Sequence, residues 1–122
     1  MARAKKDEAR EHRIEMEAIV DAYGPIEQAT GWYYYLNDKL KVPFRARCKS
    51  ARSTSPLKIG EEVEVLGMAP EEECETEMFV WASRSGERIA VPLMQLQPMS
   101  KDRETQEAVG DWHYWVDRGH EF

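Results

Sequence analysis

A β-strand is most evident in Gly60-Glu-Glu-Val-Glu-Val-Leu66, where acidic and apolar residues alternate and place Val63 and Val65 on one side. The same alternation predicts further strands over 44–48, 78–83 and 89–93. The last strand then leads through a short turn in Ile89-Ala-Val-Pro-Leu-Met-Gln-Leu-Gln-Pro98. Four short strands joined by turns and loops indicate a small, mainly antiparallel sheet.

This order of strands over residues 42–98 resembles an SH3-like small β-barrel. Helical periodicity appears on both sides of it, and predicts helices over 5–22, 25–40 and 102–118. Gly24 and Pro25 separate the first two helices, because glycine ends a helix well and proline is tolerated in a first turn. The residues expected to face the core are Met16, Ile19, Val20 and Tyr23, then Ile26, Ala29, Tyr33, Leu36 and Leu40, and finally Ala108, Val109, Trp112, Trp115 and Val116.

We therefore predict an α+β fold in which two N-terminal helices and one C-terminal helix pack on an SH3-like small β-barrel. The helices must cover the barrel, because a barrel of this size buries few residues by itself. Residues 1–122 would form one domain, composed of a helical hairpin (1–41), the barrel (42–98) and the C-terminal helix (99–122).

Composition limits the partners that the chain can have. Acidic residues outnumber basic ones 23 to 17 and the net charge is −6, which argues against nucleic acid as a partner. No apolar run approaches the ~18 residues of a membrane span, and no apolar segment follows the basic N-terminus as in a secretory signal. Two cysteines, Cys48 and Cys74, are too few for a disulfide framework. We expect a monomeric cytoplasmic protein.

Charge is strongly segregated along the chain. Residues 41–60 contain bases and no acid, whereas residues 61–83 contain acids and no base. The densest part is Glu71-Glu-Glu-Cys-Glu-Thr-Glu77, which we call the acidic run. In an extended chain, glutamates spaced by two lie on one face, and their Cα atoms are ~6.5–7 Å apart. Their long side chains can therefore converge on one cation. Ca²⁺ suits such a site because it is a hard cation that takes six to eight oxygens. The candidate ligands are Asp38, Glu71, Glu72, Glu73, Glu75 and Glu77.

Each of these candidates has a simpler interpretation. The acidic run could be solvated, or could pair with the basic residues of 41–58. Asp38 falls in the last helical turn, where a bound cation would offset an unfavourable helix dipole, but it could equally be an exposed residue beside Lys39. On the last helix, Glu104, Glu107 and Asp111 form either a weaker ion-binding face or an ordinary polar one. The chain has no EF-hand loop.

Catalysis finds little support in the sequence, and we predict that the chain is not an enzyme. The three histidines lie in terminal helices, without a serine or cysteine in a recognisable motif. Carboxylates around Cys74 disfavour its thiolate, and Cys48 should point into the barrel. The aromatic clusters Trp32-Tyr-Tyr-Tyr35 and Trp112-His-Tyr-Trp115 are either a recognition surface or the packing between the helices and the barrel.

Four segments of the chain resemble the CcbP family of small acidic cyanobacterial calcium-binding proteins. They are residues 2–25, Gly31-Trp-Tyr-Tyr-Tyr-Leu36, Gly67-Met-Ala-Pro-Glu-Glu-Glu-Cys74 and Asp111-Trp-His-Tyr-Trp115. The resemblance implies an intracellular calcium buffer without an EF-hand, linked to heterocyst differentiation. It favours reversible Ca²⁺ binding by surface carboxylates. The competing hypothesis is a protein-interaction module that uses an SH3-like barrel and the acidic run to bind a basic partner.

Overall fold

The computed structural model of the chain describes residues 5–122. Its helices are α1 (Glu8–Arg13), α2 (Pro25–Lys39) and α3 (Arg103–Asp117), and a π-helical turn (Ile14–Ala18) directly follows α1. Its strands are β1 (Phe44–Cys48), β2 (Glu62–Met68), β3 (Phe79–Arg84), β4 (Glu87–Pro92) and β5 (Leu96–Pro98). Two 3-10 turns, Glu71–Cys74 and Leu93–Gln95, connect β2 to β3 and β4 to β5. The predicted α+β class is confirmed.

The five strands form one antiparallel sheet in the order β4-β3-β2-β1-β5. The register shifts between Val65 and Gly67, where β2 carries a bulge against β3. β4 and β5 are the two edges, so the sheet is open and the predicted closed SH3-like barrel is not confirmed. The 3-10 turn Leu93–Gln95 carries the chain from one edge to the other, and β5 then pairs with β1 over three residues only.

One face of the sheet is buried beneath α2 and α3. In β1, Phe44, Ala46 and Cys48 point inward while the arginines between them are exposed, as the alternation predicts. The ring centroids of Trp32 and Trp112 lie 5.1 Å apart in this core, within the range of favourable edge-to-face contacts. Because these tryptophans are buried, the aromatic clusters serve mainly as packing between the helices and the sheet.

The N-terminal helix differs from its prediction. It does not extend over 5–22: it ends in the π-helical turn, where the Ile19 N–H donates to the Ile14 carbonyl at 3.0 Å. Ile14 and Ala18 face the core, whereas Met16, Val20 and Tyr23 of the predicted apolar side are exposed. The prediction was wrong because the wider turn changes which side chains point inward.

Gly31 explains how this turn packs on α2. A Cβ at Gly31 would lie 2.2 Å from the carbonyl oxygen of Ala18, a distance that no side chain could accept. Glycine lowers the stability of the helix by about 1 kcal/mol relative to alanine. Because it has no side chain, the backbone of the π-helical turn can pack directly against α2. Ile26 of the predicted α2 stripe is also exposed, because Ala29, Trp32, Tyr35 and Leu36 form the buried side instead.

The predicted C-terminal helix is confirmed, with Ala108, Val109, Trp112 and Trp115 buried. Asp102 caps its start by accepting from the Thr105 N–H at 2.9 Å. Among the helices of residues 5–122, none is long and apolar enough to cross a membrane.

Candidate functional site

The acidic run is not extended. Pro70 precedes a 3-10 turn over Glu71–Cys74, closed by the Glu73 N–H donating to the Pro70 carbonyl at 2.9 Å, and the chain then bends toward β3. The prediction that alternate glutamates share the face of an extended chain is therefore wrong, since a 3-10 turn aligns residues three apart. The turn instead directs part of the acidic run toward α2.

A pocket of about 500 Å³ lies between α2 and the acidic run. Its walls are Ile26, Ala29 and Thr30 of α2, with Glu71, Glu72, Cys74, Glu75 and Thr76 opposite. Three carboxylates and two threonine hydroxyls thus supply the hard oxygen donors that Ca²⁺ prefers. Within residues 5–122, no three metal-binding side chains already converge on one point. The donor set suits the ion, and the carboxylates must turn inward to hold it.

Two tyrosines of α2 attach the acidic run to the helix. The Tyr34 hydroxyl donates to Glu71 Oε1 at 2.9 Å, and the Tyr33 hydroxyl donates to the Ala69 carbonyl at 2.8 Å. The hydrogen bond to Glu71 raises the pKa of Tyr34 above its ordinary value. Tyr34 was not predicted as a site residue, although the run of three tyrosines after Trp32 was the available signal.

Cys74 fastens the middle of the run to the start of β3. The Phe79 N–H donates to Cys74 Sγ at 3.3 Å, and Sγ lies 3.6 Å from the Phe79 carbonyl oxygen. We call this pair of contacts the sulfur clasp. Burial raises the pKa of the Cys74 thiol, and the charge of Glu73 adds to this effect. The expected low reactivity of this thiol is consistent with that direction, with burial as the larger cause.

Most of the negative charge of the acidic run is not neutralised by the protein. Glu77 pairs with Arg52, whose Nη1 lies 2.5 Å from Glu77 Oε1. Glu72, Glu73 and Glu75 make no ion pair with a base in the described part of the chain. The other arginines of the basic stretch turn elsewhere, since Arg45 and Arg47 both pair with Glu62 on β2. The alternative of general pairing with residues 41–58 is therefore limited to one contact.

Asp38 lies in a different pocket from the acidic run. This second pocket, of about 770 Å³, is lined by Asp38 with Glu17 and Asn37 among its neighbours. Tyr34 also lines it, and the same side chain reaches Glu71 of the first pocket. The structure thus brings Glu71, Glu72 and Glu75 together in one pocket, and separates Asp38 from them by Tyr34.

Asp111 is not on the surface. It is 0 % exposed, and its two oxygens accept hydrogen bonds from Arg10, Arg13 and Tyr35 at 2.6 to 3.0 Å. The hydrogen bond to Asp111 raises the pKa of the Arg13 guanidinium above its ordinary value. The pKa of Tyr35 is also raised, mainly by burial and secondly by its hydrogen bond to Asp111. The expectation of an ion-binding or ordinary polar face on α3 is wrong at this residue, because α1 supplies its counter-charges and α2 adds the Tyr35 hydroxyl.

The two other residues of that face are already paired. Glu104 contacts Lys39 Nζ at 3.6 Å and Lys41 Nζ at 3.8 Å, and Glu107 contacts Arg13 Nε at 3.5 Å. Exposed pairs of this kind contribute at most about 1 kcal/mol each. These ion pairs nevertheless reduce the net negative charge that a cation would meet on α3.

Comparison with known proteins identifies the family. The model of the CcbP family, described as calcium binding, matches residues 12–116. The crystal structure of Anabaena CcbP is similar at 44 % identity with a TM-score of 0.88, covering 100 % of both chains. A calcium-binding protein solved in its calcium-binding form is similar at 46 % identity with a TM-score of 0.84, again over 100 % of both chains. No curated protein sequence matches significantly. The chain belongs to the calcium-binding CcbP family.

Proposed function

We propose that this member of the calcium-binding CcbP family binds Ca²⁺ reversibly in the pocket between α2 and the acidic run. One observation supports this choice of place above the others. Three carboxylates, those of Glu71, Glu72 and Glu75, line the same pocket, and none of them makes an ion pair with any base that the structure describes. Like charges held this close repel one another, and a divalent cation relieves that repulsion.

The residues of the acidic run would have different roles. Glu71, Glu72 and Glu75 would supply oxygens to the ion, with water completing its shell, because Ca²⁺ accepts an irregular set of six to eight oxygens more readily than Mg²⁺ does. Glu73 and Glu77 would attract the cation through their charge from outside the pocket. Asp38 would act in the same way from beyond Tyr34.

We further propose that the chain acts as a monomeric calcium buffer in the cytoplasm, without an EF-hand. Its proposed ligands come from one short segment that the protein already holds at both ends, so few residues need to become ordered for each oxygen gained. Both cysteines are buried free thiols, which suits a reducing compartment. The family is a calcium-binding one, and we propose no catalytic role for this chain.

Calorimetric titration with CaCl₂ and then MgCl₂ tests the proposed site. The variant Glu71→Gln/Glu72→Gln/Glu75→Gln removes three charges at the pocket. It should weaken the tightest Ca²⁺ step about a thousandfold or more, since the loss of each charged ligand costs about 1.5 kcal/mol or more.

The matched control, Glu15→Gln/Glu87→Gln/Glu121→Gln, removes three exposed charges elsewhere and should weaken this step by no more than about threefold, because exposed charges are screened. Equal losses in the two variants would mean that the protein attracts cations only through its net charge. No saturable heat in the unmodified protein would contradict calcium binding altogether.

A further inference from the structure

The corner between the π-helical turn and α2 exposes several large apolar side chains. Tyr23 is 87 % exposed, Ile26 82 %, Tyr34 56 % and Val20 51 %. We call these four residues the apolar corner. Other exposed apolar residues, such as Val42 and Ile59, lie elsewhere along the chain. Isolated exposed residues need no explanation, but a group at one corner of a small protein marks an interaction surface.

The fold places these residues at one location. Val20 and Tyr34 line the same pocket, and Ile26 lines the other pocket, to which Tyr34 is joined through Glu71. Ile26 and Tyr34 are eight residues apart on α2 with Thr30 midway, so they lie on one ridge of the helix. Tyr23 lies three residues from both Val20 and Ile26 along the chain. The contact of Gly31 with the π-helical turn fixes this corner against the helix.

Acidic side chains border the apolar corner on both sides. The first pocket contributes Glu71, Glu72 and Glu75, and the second contributes Glu17 and Asp38. Lys39 also lines the second pocket, but its Nζ is engaged by Glu17 at 3.7 Å and by Glu104 at 3.6 Å. Apolar side chains bordered in this way by negative charge favour a partner that offers apolar groups together with positive charge.

We infer that the apolar corner and the two acidic pockets beside it form a docking surface for a basic amphipathic segment of another protein. The apolar face of that segment would cover Tyr23 and Ile26, and its lysine or arginine side chains would reach the carboxylates of the pockets. A second copy of this chain fits poorly, because it carries the same acidic residues and the same net charge of −6. An anionic lipid surface is repelled for the same reason.

Calcium and such a partner compete for the same carboxylates. This linkage, unlike the docking itself, rests on the proposed function. Coupling between two ligands is reciprocal, so calcium in the first pocket lowers the affinity for the basic segment and the segment lowers the affinity for calcium by the same factor. A rise in calcium would then release the partner.

Fluorescence anisotropy tests the docking surface with a labelled synthetic peptide of ~18 leucine and lysine residues, about five helical turns, arranged with one apolar face. A scrambled peptide of the same composition controls for charge alone. Tyr23→Ser/Ile26→Ser should weaken binding of the amphipathic peptide about tenfold or more. Val42→Ser/Ile59→Ser, which removes exposed apolar side chains elsewhere, should change it less than about twofold. The control variant Val42→Ser/Ile59→Ser should also keep the calorimetric calcium step.

Four outcomes would overturn the docking surface. The first two are an equal affinity for the scrambled peptide and an equal loss of peptide affinity in the two variants. The third is a dimer in sedimentation that Tyr23→Ser/Ile26→Ser converts to a monomer. The fourth is binding to anionic vesicles that the same variant abolishes. The linkage is tested separately by adding CaCl₂ at ~100 times its Kd, which should weaken peptide binding about tenfold. If calcium binds by calorimetry without weakening peptide binding, the linkage is wrong. If calcium does not bind at all, the proposed function fails and the peptide measurements alone decide the docking surface.

Discussion

The carboxylate of Asp111 and the carboxylates of the acidic run have opposite surroundings. Asp111 is completely buried, and within residues 5–122 the hydrogen bonds that its carboxylate accepts come from arginine and tyrosine side chains. Glu72, Glu73 and Glu75 are exposed, and no base among residues 5–122 forms an ion pair with them. The availability of a carboxylate for a metal ion is thus decided less by its place on a helix or turn than by the counter-charges that the fold brings to it.

The largest expected effect is on the buried side of this comparison. Asp111→Asn should destabilise the fold by about 3 kcal/mol, because the amide offers one acceptor atom where the carboxylate offers two and leaves arginine charges without their partner. Thermal unfolding should show a melting temperature lower by roughly 10 °C. Calcium binding by the folded variant should be unchanged. Loss of calcium binding with normal stability would mean that Asp111 is a ligand after all.

Acid should lower the stability that α3 contributes through its buried His113. Burial lowers the pKa of His113 to about 4, although its hydrogen bond to the Leu93 carbonyl opposes this shift. The His113 side chain therefore binds a proton more tightly in the unfolded chain than in the folded protein. The free energy of unfolding should be highest above pH 6.5 and should fall by up to about 3 kcal/mol as the pH drops toward 4.

Urea unfolding between pH 7 and pH 4.5, without calcium, measures this change in the free energy of unfolding. We expect a loss of stability with acid in the unmodified protein and a flatter profile in His113→Gln, which retains a donor for Leu93. Profiles of equal slope in the two proteins would show that His113 is not the source of the loss.

Calcium should stabilise the fold by a slightly smaller amount. Binding to the folded state alone adds about 2.7 kcal/mol at 100 times Kd, which should raise the melting temperature by roughly 10 °C. Glu71→Gln/Glu72→Gln/Glu75→Gln should lose this increase, whereas Asp111→Asn should keep it. An equal increase with Na₂SO₄ at matched ionic strength would indicate a general salt effect and remove the difference between the two regions.

The smallest expected effect concerns Arg52, the base that pairs with Glu77. Arg52→Gln removes a positive charge beside the acidic run and should tighten calcium binding about twofold to fivefold, in line with the ~1 kcal/mol of a partly exposed pair. Arg45→Gln, which removes an exposed charge that pairs with Glu62 instead, is the control and should change it less. Weaker binding in Arg52→Gln would show that Arg52 positions Glu77 rather than competing with the ion.

Periodic segments could be predicted from the sequence, and contacts between distant segments could not. The apolar repeat gave α2 and α3 to within two residues at each end, and the alternation of β1 gave its buried side. Asp111 was misplaced because its partners Arg10 and Arg13 lie about a hundred residues earlier. Pro70 and the 3-10 turn after it changed which glutamates share a face.

The same limit applies to the candidate site. The density of glutamates in the acidic run pointed to the region where Glu71, Glu72 and Glu75 now line a pocket, and calcium binding agrees with the family. The opposite wall of the pocket and the Tyr34 hydrogen bond to Glu71 depend on how α2 packs against this run. No local pattern records that packing, and the individual ligands stay predictions.

The sulfur clasp has a consequence for how quickly the acidic run can exchange an ion. By joining Cys74 to both backbone polar groups of Phe79, it closes a small loop before any ligand arrives. The conformational entropy of closing that loop is lost during folding and is not lost again at each binding event. A cation that enters the proposed site would therefore only have to reorient glutamate side chains, a movement of picoseconds to nanoseconds, rather than refold a segment of backbone. Uptake and release limited by such small rotations are what a rapidly exchanging store of ions requires.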